Sequence, residues 1–322
     1  MPLCIFASAG RKTWSVPDFR LRAVSSYLFA WLLFLGLALG GMANLMLHNL
    51  TGGAWGLPLR PLFAAATRLV PVAALLGLPL LFGMHALYPI GESAWFGATF
   101  FVARSVFYLV LWSVLATLLL RSGRPQALSA IGLIVYGFSM SLAAVDWIGS
   151  LVPQWYSTGF GLVVAVGQML GAMALATAYL GFRAPQLPRA VFHDLGNLLL
   201  MYVLTWAYVA FMQFLIIWTG NLPREIAWYV PRLRTGWVAL GVILVVFHFF
   251  VPLAILLSRS AKRSPLLLGS LAAAVFAVHA IDVYWLVAPS VRPAGFHIAW
   301  LDPVALAALG VLWWFTWRPA HA

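Results

Sequence analysis

The chain has 322 residues, of which 64% are hydrophobic and only 8% are Asp, Glu, Lys or Arg, with a formal net charge of +12. A mean hydropathy of +0.97 excludes an ordinary soluble domain, in which about 25% of residues are charged. Continuous apolar runs exclude an outer-membrane barrel, whose strands alternate polar and apolar residues. The single cysteine, Cys4, excludes internal disulfides, Cys-ligated iron–sulfur clusters and Cys-rich zinc sites.

Bilayer hydrocarbon is ~30 Å thick, so a spanning helix needs ~20 mostly apolar residues. The sequence predicts an all-α polytopic transmembrane bundle of nine spans, near 25–47, 60–83, 98–120, 126–148, 155–181, 194–218, 235–258, 264–287 and 298–317. A basic tail over 1–24 precedes them, 25–318 form one integral membrane domain, and 319–322 form a short tail. The start MPLCIFASAG is not a secretory signal. In the first span, Gly36 and Gly40 have the spacing of close helix packing, as do Gly167 and Gly171 in the fifth. Pro71 and Pro79 predict kinks in the second span. Leu50 to Gly53, Arg121 to Pro125, Pro185 with Pro188, Gly220 to Pro223 and Ser258 to Pro265 read as breaks between spans. The 16 Trp fit interfacial belts.

Antiparallel threading sorts the loops onto two faces. Face A is where the first span begins, and it receives Arg224, Arg232, Arg234 and Arg292 with Glu92 and Glu225. Face B receives Arg60, Arg121, Arg124, Arg183, Arg189, Arg259, Lys262, Arg263 and Arg318, so the positive-inside rule makes it cytoplasmic. Arg11, Lys12, Arg20 and Arg22 of the N-terminal tail fall on the opposite side and weaken that asymmetry. Basic residues placed between apolar runs read as topology signals and anionic-lipid contacts rather than as a nucleic-acid surface.

The same threading gives depths to the ionisable residues inside the spans. His85, Arg104, Asp146 and Asp282 lie toward face A; His48, His193 and Asp194 lie toward face B, with Arg68 deeper; His248 and His279 lie nearest the middle. Arg104 and Asp146 share a depth on consecutive antiparallel spans and can pair, while His279 and Asp282 stand three apart on one helix face. A structural reading stands beside each: an ion pair for Arg104 and Asp146, an N-cap for Asp194, and packed, hydrogen-bonded imidazoles for His48, His85 and His248. Yet a charged residue at a helix centre costs ~2.5–3.5 kcal/mol on insertion scales, and several at matching depths suggest function. Quinol oxidation releases two protons with its two electrons, so its site needs acceptors beside the ring oxygens. Asp and His meet that need, and Tyr88, Trp95, Trp147, Trp155, Tyr156, Tyr284 and Trp285 supply aromatics toward face A. His248 and His279 are the only pair suited to bis-His haem, and the chain lacks the repeated pairs of a two-haem cytochrome.

Several blocks carry a family resemblance: LHNLTGGAWG (47–56), AVDWIGSLVPQWYST (144–158), HDLGNLLL (193–200), WAYVAFMQFLIIWTGNLPRE (206–225) and DVYWLVAP (282–289). Together they resemble the second quinone-binding-type membrane subunit of bacterial alternative complex III, a quinol:cytochrome c oxidoreductase, within the wider polysulphide-reductase-like (NrfD-type) family. The resemblance implies a multi-pass subunit of the bacterial cytoplasmic membrane with no redox cofactor of its own and no catalysis alone. It further implies menaquinone or ubiquinone as ligand. The implied partners are a sister subunit of the same fold, a periplasmic iron–sulfur subunit, c-type cytochromes and a terminal oxidase. His48, Asp146, His193, Asp194 and Asp282 carry over from the motifs; His85, Arg104, His248 and His279 come from depth. The family has ten spans, whereas no apolar span precedes residue 25 here; its paired His reads His48-Asn49, its HDLGK ends in Asn197, and Met212 precedes Gln213. Two other readings compete: the quinone-facing anchor of another NrfD-type reductase, and a secondary transporter, against which stands the lack of matched halves.

Overall fold

The computed structural model describes residues 19–91, 93–153 and 155–317, and every regular element among them is helical. The first apolar run forms α1 (Phe19–Thr51), a 33-residue helix that begins ahead of the expected residue 25. Residues 1–18 of the expected basic tail, with Arg11 and Lys12, lie outside the described residues, as do Glu92 and Arg318. At 1.5 Å per residue α1 is about 50 Å long and overreaches the hydrocarbon layer.

The second span is two helices, α2 (Arg60–Arg68) and α3 (Val70–Phe82). Pro71 has no N–H to give and occupies the first turn of α3, so the chain breaks at Leu69, whose N–H turns back to the carbonyls of Ala66 and Thr67. Pro79, by contrast, lies inside α3. Tyr27 and Trp31 of α1 fasten this helix by donating to the carbonyls of Leu76 (2.6 Å) and Ala73 (2.8 Å).

Four of the following runs fold within a few residues of expectation: α4 (Ala98–Arg121), α5 (Pro125–Trp147), α6 (Phe160–Arg183) and α7 (Arg189–Gly220). Next comes α8 (Val238–Leu256), which widens into a π-helical turn over Leu244–Phe250. Pro252 explains it: the ring crowds the carbonyl four residues back, at His248, and cannot donate to it, and Val251 bonds five back to Val246. The chain closes with α9 (Pro265–Val291) and α10 (Leu301–Thr316). Thus, with α2 and α3 counted together, eight helical stretches among the described residues are long and apolar enough to cross a bilayer, and the expected ninth span is a shorter apolar helix of 16 residues.

In the core, α1 is 94% buried and α6 is 83% buried over their most apolar windows. Gly40 lets these two backbones meet, since a Cβ there would collide with the carbonyl of Gln168. The remaining helices ring this pair and turn Phe82, Phe138, Tyr208, Phe247 and Trp314 outward. Contiguous outward apolar faces of this size suit hydrocarbon, not water, and the protein is a multi-pass membrane protein. The tryptophans divide between surface and core: Trp218 and Trp314 are exposed, whereas Trp112, Trp228 and Trp237 are among the largest fully buried side chains. The buried indoles are anchored, Trp112 on Ser139 (2.8 Å) and Trp237 on the carbonyl of Arg292 (2.9 Å).

The two loop faces are each tied together. On face A, Tyr88 donates to the carbonyl of Trp147 (3.1 Å) and Trp155 to that of Glu225 (2.9 Å). On face B, Asn49 donates to Ser129 (3.0 Å) and Trp317 to the carbonyl of Leu62 (3.3 Å).

Candidate functional site

Two groups of ionisable side chains are enclosed toward face A at the expected residues. The first joins α4 to α5. Arg104 grips Asp146 with two parallel bonds, Nε to Oδ2 and Nη2 to Oδ1, each 3.0 Å. Trp95 donates to Oδ1 (2.9 Å) and Tyr108 to Oδ2 (3.0 Å). Arg104 also donates to the carbonyl of Trp95 (2.9 Å) and lies 4.0 Å over its ring. Asp146 is fully buried, and each of its oxygens accepts two bonds. This is a fixed anion locked to a fixed cation. Beside it, burial and then the Asp146 carboxylate push the Tyr88 phenol up.

The second group has no such counterion. Asp282 and His279 sit one turn apart on α9, with His279 Nδ1 3.8 Å from Asp282 Oδ2. Trp206 of α7 donates to that same oxygen (3.1 Å). His248 enters from the π turn of α8, its ring 6.0 Å from that of His279 and 4.2 Å from that of Trp206. His248 is buried with neither ring nitrogen hydrogen-bonded, and His279 Nδ1 is likewise unpartnered. Gly171 of α6 makes the seat: a Cβ there would collide with the His279 ring, and one on Gly167 would come within 3.3 Å of it. The Gly167–Gly171 pair, expected as plain helix packing, therefore houses an imidazole, unlike Gly40. Among the described residues no hydrogen bond or ion pair joins this group to Asp146.

His85 lies apart from both. It is exposed on the short helix Met84–Leu87 and makes no hydrogen bond to Asp146 or Arg104. Arg68 is exposed at the break between α2 and α3, on the outside of the bundle.

On face B, His48 is buried under the loop that follows α1. Its Nε2 is 3.2 Å from the carbonyl of Gly53, Trp55 packs edge-on at 5.0 Å, and Nδ1 has no partner. Gly56 must be glycine, because a Cβ would collide with the imidazole. His193 and Asp194 are close (3.6 Å) but Asp194 is exposed. Asp194 is not an N-cap: α7 begins at Arg189, a full turn earlier, behind Pro188. Asn197, where the resembling motif has Lys, accepts from Lys262 Nζ (2.7 Å) and approaches His193 Nδ1 (3.4 Å). Lys262 comes from the neighbouring short helix Arg259–Arg263, its stem crossing Gly196.

Sequence reasoning missed two buried arginines of face A by treating them as loop charges. Arg292 grips Asp302 with two bonds (2.7 and 2.8 Å), and Asp302 further accepts from Tyr284 (2.8 Å), Ser26 (2.5 Å) and the Ala299 amide (2.9 Å). Asp302 is the single acid of α10, and that was the available signal. Arg232 is fully buried with no carboxylate; it donates to the carbonyls of Trp228 (2.6 Å) and Leu286 (2.9 Å) and lies 3.5 Å over the Trp228 ring. Burial pushes its guanidinium down.

These features define a polytopic helical membrane protein with titratable groups sealed between its helices. No protein-family model matches the sequence, and no protein of curated function matches it significantly.

Proposed function

We propose that this chain is an integral membrane subunit of a bacterial quinol:cytochrome c oxidoreductase of the alternative complex III kind, lying in the cytoplasmic membrane and contacting quinone. The observation that carries this reading is the enclosed meeting of Asp282, His279 and His248 with no fixed cation among them. Quinol gives up two protons as its two electrons leave for iron–sulfur and c-type cytochrome partners. An unpartnered imidazole nitrogen and a carboxylate held by a single indole N–H suit the acceptance of those protons. Asp146, saturated by four donors, serves as a fixed anion that orders the outer ends of α4 and α5. Face B is the cytoplasmic face, and Lys262, Asn197 and His193 form its polar entry.

The test is purification of the tagged chain from its native membrane. Multihaem cytochrome c and iron–sulfur subunits should co-purify with it. In that assembly Asp282→Asn should lower quinol-dependent cytochrome c reduction while leaving subunit composition unchanged. A lone, colourless protein overturns the proposal, and a different catalytic subunit in its place assigns the chain to another NrfD-type reductase.

A further inference from the structure

One charged cluster has no part in the quinone reading. Arg189 opens α7, while Arg259 and Arg263 stand on the short helix Arg259–Arg263 that links α8 to α9. These three side chains line one hollow of about 480 Å³ together with Ser260, Ser264 and Pro265. All three arginines are exposed, and none ion-pairs with a carboxylate among the described residues. Asp194, the nearest acid along the chain, is 3.6 Å from His193 instead. Lys262, between the two arginines, turns inward to Asn197.

A second hollow of about 530 Å³ shares Arg189, Ser264 and Pro265 with the first and is walled by Pro185, Gln186, Leu187, Pro188 and Leu266. One lobe is thus cationic and hydroxyl-bearing; the other, the apolar lobe, is walled mainly by proline and leucine, exposed Leu266 among them, with Gln186 and the shared Arg189 and Ser264 as its polar groups. Three prolines with fixed φ hold this rim in shape, which lowers the ordering cost of binding.

We propose that this double hollow binds the headgroup of an anionic glycerophospholipid, with the phosphodiester among Arg189, Arg259 and Arg263 and the first acyl carbons in the apolar lobe. Guanidinium forks match phosphate oxygens in pairs, and basic pockets between membrane helices are sites for anionic headgroups. A free phosphate would use the cationic lobe alone and leave the apolar lobe without purpose. Three other face-B arginines lack this setting: Arg60 is engaged with Asn49 (3.2 Å), and Arg121 and Arg124 stand exposed at the α4–α5 turn.

The experiment uses the full chain from its native membrane, with any accompanying subunits, transferred into phosphatidylcholine nanodiscs doped with phosphatidylglycerol. Native mass spectrometry reads the retained lipid. Wild type should keep a phosphatidylglycerol adduct. The triple variant R189Q/R259Q/R263Q should weaken it roughly a hundredfold, at about 1 kcal/mol per basic residue near the surface. R189K/R259K/R263K, which keeps the charge but loses the forks, should weaken it by less than the triple Gln variant yet measurably, and R60Q/R121Q/R124Q should change it little. Equal loss in the last variant overturns the proposal in favour of diffuse attraction. Displacement of the lipid by inorganic phosphate, with phosphate binding equally well in neutral discs, overturns it in favour of a free-anion site.

Discussion

Asp302→Ala is the most informative single substitution for stability. The carboxylate accepts five hydrogen bonds and joins four segments: α10 itself, the α9–α10 turn through Arg292 and Ala299, α9 through Tyr284, and α1 through Ser26. Its removal leaves Arg292 buried, with only the Tyr284 hydroxyl (2.9 Å) and the more distant Ser26 (3.3 Å) and Ser25 (3.5 Å) as partners. Stripping one partner from a buried pair costs about 3–5 kcal/mol, so the folding equilibrium should fall by roughly two to four powers of ten. Replacing both charges by apolar residues of similar size is often neutral, so Arg292→Met with Asp302→Leu should recover most of that loss. The assay is unfolding of the purified protein in mixed micelles at fixed detergent composition, with both single variants and the double variant forming a cycle. A single variant within about 1 kcal/mol of wild type, or a double variant no better than the single, would refute the argument, because the strength of the network would then not arise from an enclosed charge pair.

Other expectations follow from the same geometry. Asp146→Asn should destabilise the protein by about 3 kcal/mol, since it strands Arg104, read as unfolding in mixed micelles; wild-type stability would show that Asp146 does not anchor the outer ends of α4 and α5. Gly171→Ala should cost about 1–3 kcal/mol through collision with the His279 ring, whereas Gly137→Ala, which meets no neighbour within 4 Å, should cost nothing; equal melting temperatures for the two would contradict the packing. Gly56→Ala should disturb the loop over His48, and faster proteolysis between residues 52 and 59 is the readout.

Helix existence was legible because about twenty consecutive apolar residues are a strong local signal. What escaped was non-local. The break at Leu69 and the wide turn at His248 both depend on a proline inside an unbroken apolar run, where hydropathy gives no edge. Depth along antiparallel spans placed Arg104 opposite Asp146, because both belong to adjacent helices. It also brought His279 near Asp282 by one helical turn. It missed Arg292, which turns inward to meet Asp302 and Ser26, the latter 266 positions away. His85 failed for the opposite reason: threading fixes height but not azimuth, and its helix turns it outward.

The buried residues of α8 are Leu240, Leu244, His248, Pro252 and Leu256, each four positions from the last. In an ordinary helix such a row winds around the axis by about 40° per step. The expanded coil at its centre unwinds that drift and leaves a straight seam. The helix therefore adheres to its neighbours like a plank nailed along one edge, with His248 as the middle nail. Prising that plank sideways would uncover His248, which lies buried at the centre of the seam.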